Sequence, residues 1–221
     1  MENFLIYSHI FSGGAVLLLG LISIIRKKGS RSHKLIGKIY VGAMWWICIS
    51  AFSIIIFYRF SAFLMVISVI TFYSSFIGVR VLHRRKPGSE KWYDWLVSTL
   101  TSLFGAGLII YAVFIFERSP VLAILSTVFG LMAFSWGIQD IRFFFKKESD
   151  EKKWWLHQHI SAMGGSYIAA ITAFAVQNGE IFGLVNHNWL LWVLPGIIGS
   201  PIISIVVRKQ KKKEKIRLAT L

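Results

Sequence analysis

Seven long apolar runs, separated by short connections, constrain this chain more than any other feature of its sequence. The hydrocarbon core of a bilayer is crossed by about 20 consecutive apolar helical residues, which is the length of these runs. Backbone amides in lipid must find their partners within the segment, so each run is predicted to be a helix and not a strand. The runs cover residues 3–25, 35–58, 62–82, 93–116, 120–144, 154–176 and 189–207. The sequence therefore predicts an all-α bundle of seven transmembrane helices.

The composition agrees with a membrane protein and argues against other classes. Charged residues make up 16% of the 221-residue chain and hydrophobic residues 55%, whereas about a quarter of the residues of a soluble protein are charged. A net charge of +15 would indicate nucleic-acid binding in a soluble protein, but here the basic residues lie between the apolar runs, so no nucleic-acid partner is expected. Cys48 is the single cysteine, which excludes an intrachain disulfide and a cysteine-based zinc site.

The lysines and arginines are divided unequally between alternate connections. Six lie in 26–38, five in 80–91, five in 142–153 and seven from residue 208 onward, so one set of connections holds 23 of the 25 and the other holds Arg59 and Arg118. The positive-inside rule predicts an N-terminus outside and a C-terminus in the cytoplasm. We expect a single transmembrane domain over 1–207 and a basic cytoplasmic tail over 208–221, in a prokaryotic cytoplasmic membrane. The basic face is expected to contact anionic lipid headgroups, and the alternative is that the tail is a solvated topology signal.

Histidines inside the apolar runs are the first candidates for function, because ionisable groups within a membrane are costly and mark functional sites by default. His9 lies six residues into the first run. On a helix it shares a face with Gly13, Val16 and Gly20. The two glycines let a neighbouring helix or a flat ligand approach this face closely.

Two further histidines, His157 and His159, open the sixth run in the segment "WWLHQHISAMGGSYIAA". Residues two apart on a helix point about 200° away from each other, so the two imidazoles cannot face one ligand. We expect His159 to point into the bundle, because its face also carries Met163, Ser166 and Ala170. His157 is expected to lie near the headgroups.

A fourth histidine, His33, lies in the basic segment "RKKGSRSHKLIGKIY" that leads into the second run. If the helix extends this far, His33 shares a face with Gly37 and Tyr40. The remaining histidines, His83 and His187, fall in predicted loops and are expected to be solvated.

The segments "RSHKLIGKIYVGA" and "HISAMGGSYIAAITAFAV", together with the early His9, resemble the uncharacterised prokaryotic membrane-protein family DUF2306. The matching positions are His9, Arg31, His33, Gly37, Tyr40, His159, Met163, Ser166 and Tyr167. The chain departs from the family at Gly165, where relatives commonly have an arginine before Ser-Tyr. The resemblance implies a fold and a membrane location, and it supplies no known activity.

The histidines predict a membrane-embedded cofactor site for a redox role. Neutral imidazole is a common ligand of haem iron and of transition metals, and histidines on two helices can clamp a b-type haem. His33 and His159 share the predicted cytoplasmic side and are the expected pair, while His9 would need an outer partner such as His187. Met163 offers a soft thioether, so His33, His159 and Met163 are the candidate metal ligands. The alternative is that these histidines bond to neighbouring helices and only fix packing.

Two further function classes stay open from the sequence. A small-solute or metal-ion permease would use Asp94, Gln139 and Asp140, and Pro195 and Pro201 would break span seven as the helices of transporters are broken. A non-catalytic membrane scaffold would use the small-residue faces for helix association. We find no HExxH motif, phosphate-binding glycine loop or hydrolase triad pattern in the sequence. The sequence therefore indicates no particular reaction.

Overall fold

Seven α-helices make up the computed structural model, which describes residues 1–149, 151–181, 183 and 189–219, apart from the side chains of residues 63 and 217–219. The helices are α1 (Glu2–Ile25), α2 (Arg31–Phe57), α3 (Ala62–His83), α4 (Trp92–Ile115), α5 (Pro120–Lys146), α6 (Trp154–Gln177) and α7 (Trp189–Ala219). All seven are long and apolar enough to cross a membrane, and the described residues contain no strand. The predicted seven-helix all-α architecture is confirmed.

Two helix boundaries differ from the predicted runs by more than two residues. α2 begins at Arg31 because Ser30 caps it, its Oγ accepting a hydrogen bond from the backbone N–H of His33 at 3.2 Å, as N-cap serines do. His33 therefore lies in the first helical turn. α7 runs through the basic segment as far as Ala219, so most of the predicted tail over 208–221 continues the helix.

The prediction that prolines break span seven is wrong. Pro195 and Pro201 both lie inside the continuous helix α7. Membrane helices tolerate proline because small local adjustments and neighbouring groups satisfy the backbone carbonyls that it leaves free. The permease hypothesis therefore loses its broken helix.

Large apolar side chains lie on the outside of the protein. Phe11 is 80% exposed, and Val113 and Phe114 are 75% and 78% exposed. These are only three of many exposed aromatic and aliphatic residues on the seven helices. Such a surface is stable when the surrounding solvent is lipid, and contiguous apolar surfaces of this kind are rare on soluble monomers.

The chain divides into two compact units, which we describe separately. Unit 1 comprises Met1–Ser75 and Ile160–Leu221, and unit 2 comprises Phe76–His159. Unit 1 thus contains α1, α2, α7, the longer part of α3 and most of α6. Unit 2 contains α4 and α5 with the end of α3 and the first turns of α6.

Unit 1 contains a buried apolar cluster of Val16, Tyr40 and Met44. Gly20, one turn after Val16, lies against the rings of Tyr40 and Tyr167. A Cβ atom at Gly20 would be 3.1 Å from Cε2 of Tyr40 and nearer still to the ring of Tyr167. The absence of a side chain at this point lets α1 approach the two tyrosines.

The packing of α6 against α7, also in unit 1, is reciprocal. Gly164 of α6 faces Ile203 of α7, and Gly199 of α7 faces Ile168 of α6. Small residues at helix interfaces are the usual means of close approach in membranes, where water no longer drives helices together. Each helix therefore fills the gap left by a glycine on its neighbour.

Unit 2 is held by a closer contact, between the backbones of α4 and α5. A Cβ atom at Gly105 would be 2.6 Å from the carbonyl oxygen of Gly130 and closer to the backbone of Phe134. Gly137 of α5 packs in the same way against Ser102 of α4. This stripe of small residues brings together the two helices that carry the buried charges described below.

Candidate functional site

His9 is joined to α2 within unit 1. Its Nδ1 lies 2.9 Å from Oγ of Ser50, and this serine is fully buried. The predicted face of His9 is confirmed in part, because Val16 and Gly20 are buried there while Gly13 faces open space. His9 thus has a defined partner on a neighbouring helix.

His33 is also held within unit 1, by the end of α1. Its Nδ1–H donates to the backbone carbonyl of Ser23 at 3.2 Å, and a carbonyl can only accept, which fixes the tautomer. The ammonium group of Lys28 donates to the same carbonyl at 2.7 Å, and desolvation lowers the pKa of this lysine. Ser23 follows His9 by 14 residues on α1, or about 21 Å along the helix axis. His9 and His33 are therefore too far apart to share one cofactor.

His159 and His157 of unit 2 are not arranged as predicted. His159 does make an interhelical contact, since its Nδ1–H donates to the carbonyl of Gly78 on α3 at 2.7 Å. However, His157 is the more buried of the two, and its Nδ1 lies 2.7 Å from Oε2 of Glu151. The expectation that only His159 would be turned inward is wrong, because His157 is buried as well and pairs with Glu151 of the connection before α6.

The face of α6 that follows His159 belongs to unit 1 and is mainly a packing surface. Met163 and Ala170 lie against the cluster of Val16, Tyr40 and Met44. Ser166 is fully buried. Its hydroxyl accepts a hydrogen bond from the hydroxyl of Tyr40 at 2.9 Å and donates one to the carbonyl of Met163. Tyr167 donates to the carbonyl of Leu17 at 3.0 Å. Met163, a candidate metal ligand, therefore packs against an apolar cluster.

The strongest polar grouping among the described residues lies in unit 2, where α3 ends and α4 begins. Arg80 donates to Asp94 through both Nε (2.8 Å) and Nη2 (2.7 Å), and Asp94 is fully buried. The same carboxylate accepts the backbone N–H of Lys91 at 2.9 Å, which caps α4. Bidentate pairs of this kind are the strong form of the arginine–carboxylate interaction. The Arg80 guanidinium also lies 4.6 Å from the centre of the Tyr93 ring.

A second arginine, Arg84, is the largest fully buried side chain of those that the structure describes. Its Nη2 is 3.7 Å from Oδ2 of Asp140, beyond hydrogen-bonding distance, and its Cζ lies 4.6 Å above the ring centre of Phe144. The other carboxylate oxygen of Asp140 accepts a hydrogen bond from Nε2 of Gln158, a residue of α6, at 2.7 Å. Arg84, Asp140 and Gln158 thus connect the residue after α3 with α5 and α6.

Sequence reasoning missed the basic half of this grouping. The sequence places Arg80 and Arg84 in a basic connection and Gln158 between two histidines, and no pattern there marks any of the three as part of a site. Asp94 and Asp140 were named as permease residues without their partners, while Gln139 is exposed. One signal was available: both aspartates fall at the same predicted side of the membrane as the two arginines, so ion pairs were possible there.

Single histidines among the described residues are oriented as cofactor ligands would be, but the described residues do not form a cluster of ligands. Nδ1 of His9, His33 and His159 is engaged by an oxygen atom in each case, which is the way ligating histidines are usually oriented. Among the residues that the structure describes, no three His, Cys, Asp or Glu side chains are grouped as a metal site. His187, the outer partner expected for His9, lies outside the described residues.

Seven apolar membrane-length helices with lipid-compatible outer surfaces define the class: this is a multi-pass α-helical membrane protein. Scans against known protein families, curated proteins and solved structures found no match.

Proposed function

We propose that the protein lies in the cytoplasmic membrane of a prokaryote with its N-terminus outside and its C-terminus in the cytoplasm. The distribution of lysine and arginine supports this orientation through the positive-inside rule. The basic face would then contact anionic lipid headgroups, each basic residue contributing about 1 kcal/mol near the surface. Membership of the DUF2306 family is part of this proposal and rests on the His9, His33 and His159 segments.

We propose further that the protein binds haem b or a transition metal through membrane-embedded histidines and serves a redox role. The supporting observation is that His33 and His159 each donate Nδ1–H to a backbone carbonyl. This bond selects the tautomer with the lone pair on Nε2, the atom that would coordinate the metal. A bound haem or metal would supply one-electron chemistry, and the chain would supply imidazoles held at a fixed angle.

The test is a reduced-minus-oxidised visible spectrum with metal analysis on one sample purified from haem-replete cells. A haem protein gives a Soret band that sharpens on reduction and is lost or displaced in His33→Ala or His159→Ala. His83→Ala is the matched control, because His83 is exposed and its Nδ1 bonds to the carbonyl of Val79 in its own helix. A colourless sample without stoichiometric metal would overturn the proposal.

A small-solute permease is the second candidate, favoured by the burial of Asp94 and Asp140 beside arginines. Paired charges within membrane helices often mark a solute or ion pathway. Uptake into proteoliposomes should fall by at least about tenfold in Asp140→Asn and stay unchanged in Glu148→Gln, which makes the same change from acid to amide at an exposed position. Equal uptake by the two variants would remove this candidate.

A further inference from the structure

Arg84 combines complete burial with a lack of hydrogen bonds. Its side chain is 0% exposed, and Nε, Nη1 and Nη2 have no hydrogen-bond partner among the described residues. Buried polar groups are almost always hydrogen-bonded, and an exception usually indicates a water, an ion or a ligand. A guanidinium has five N–H donors and no acceptor, so whatever completes this site must present acceptor atoms.

Two more unsatisfied groups lie on the first turns of α6, in the same unit. Trp154 Nε1 and His157 Nε2 are both buried and have no hydrogen-bond partner among the described residues. They are three residues apart and thus neighbours on one helical face. The indole of Trp154 packs on Phe143 at 4.4 Å, next in sequence to Phe144, on whose ring Arg84 lies.

The carboxylates of Asp140 and Glu151 do not satisfy the N–H donors of Arg84. Asp140 directs Oδ1 to Gln158, one turn after Trp154 on α6, and its Oδ2 stays 3.7 Å from Arg84. Glu151 is engaged with His157 through Nδ1, on the opposite side of that ring from Nε2. Neither carboxylate hydrogen-bonds to the guanidinium, although arginine and carboxylate normally do so at 2.7–2.9 Å.

We propose that Arg84 and Trp154 bind a phosphate group whose oxygens accept the unused N–H donors of the guanidinium and the indole. The planar fork of arginine matches two oxygens of a phosphate, and the N-terminus of α6 adds the partial positive charge that favours anions. The phosphate belongs either to a free phosphate compound or to the headgroup of an anionic lipid. This proposal rests neither on the histidine cofactor nor on solute transport, although the site borders Asp140, a residue that the permease candidate uses.

Phosphate binding is measured by calorimetry on the full-length protein in dodecyl maltoside, a detergent without phosphate. The two probes are inorganic phosphate and short-chain phosphatidylglycerol, each titrated separately. Arg84→Lys keeps the positive charge but removes the planar guanidinium that can bind two phosphate oxygens. This variant should bind the phosphate probe at least about tenfold more weakly. Arg85→Lys is the matched control, since Arg85 is the next residue and is exposed over the ring of Trp155, so its binding should stay within about twofold of the parent.

Two further variants separate this site from a general attraction to positive charge. Trp154→Phe retains an aromatic ring and removes one donor, and we expect binding to weaken about threefold to tenfold. Asp140→Asn removes the negative charge 3.7 Å from Arg84, and we expect phosphate to bind several times more tightly. A monodisperse elution profile and an unchanged helical circular-dichroism spectrum show that each variant is folded.

The outcomes distinguish the source of the phosphate. Binding of inorganic phosphate that depends on Arg84 supports a site for a free phosphate compound, while Arg84-dependent binding of phosphatidylglycerol alone supports a lipid headgroup. The proposal is overturned if neither probe binds, or if folded Arg84→Lys and Arg85→Lys bind equally. Tighter binding in Asp140→Asn together with unchanged transport would retain this site and reject the permease.

Discussion

The two units of this protein hold their helices together by different interactions. Unit 1 uses neutral hydrogen bonds, such as Tyr40 to Ser166 and His9 to Ser50, and glycines that face side chains. Unit 2 uses a bidentate buried ion pair and glycines that face backbone. A charge buried between membrane helices is tolerated only when it is paired, so removing one partner of an ion pair strongly lowers stability. A neutral hydrogen bond between membrane helices contributes little to stability. The same substitution should therefore have unequal effects in the two units.

The largest expected difference concerns ion pairs. Asp94→Ala should lower the free energy of unfolding by about 3–5 kcal/mol, because it leaves Arg80 without its partner in a largely buried place. Glu2→Ala in unit 1 removes the pair with Arg59, whose side chain is 69% exposed, and should change this energy by at most about 1 kcal/mol. Both are measured by reversible unfolding in mixed micelles of dodecyl maltoside and SDS, followed by circular dichroism.

A combined substitution sharpens this result. Replacing both partners, in Arg80→Met with Asp94→Leu, should recover much of the stability, because no uncompensated charge remains. Equal stability of Asp94→Ala and Glu2→Ala would show that the buried pair contributes no more than the exposed one.

The next difference concerns glycine. Gly105→Ala should destabilise the protein by about 1–3 kcal/mol, because the new Cβ meets the backbone of α5, which cannot move alone. Gly20→Ala in unit 1 should cost less, because its obstacles are the rings of Tyr40 and Tyr167, which can shift. The measurement is the same unfolding experiment.

Each glycine variant has a matched control on its own helix. A Cβ atom at Gly107 of α4 or Gly14 of α1 would meet nothing within 4 Å. Alanine at these two positions should be neutral or stabilise by up to about 1 kcal/mol, because glycine lowers helix stability. If Gly107→Ala destabilised the protein as much as Gly105→Ala, close packing would not be the cause.

The smallest expected effect is in unit 1. Tyr40→Phe removes the hydrogen bond to Ser166 and keeps the buried ring, and we expect a loss of about 0.6 kcal/mol, the average for interhelical hydrogen bonds in a membrane protein. Tyr111→Phe, at an exposed position on α4, should leave the unfolding energy unchanged. A loss above about 3 kcal/mol for Tyr40→Phe would contradict the view that unit 1 depends on packing.

The candidate residues were accessible from the sequence to unequal degrees. His9 and His159 stand out because histidine is rare in apolar runs, and His33 stands out because it shares a helical face with Gly37 and Tyr40. The structure gives each of the three a partner. Arg84 did not stand out, because an arginine in a basic connection looks solvated until the fold covers it. The burial of His157 did not stand out either, since its partner Glu151 lies in the connection before α6.

The sequence by itself determined the number, approximate position and helical nature of the spans. Apolar run length is a local property, and bilayer thickness and backbone hydrogen bonding convert it directly into helices. Only the tertiary structure decided which polar groups are paired and which are buried without partners. Those properties depend on helices far apart in sequence, as the contacts of Arg84, Asp140 and Gln158 illustrate. No periodicity within one segment records which side chain a neighbouring helix will bring.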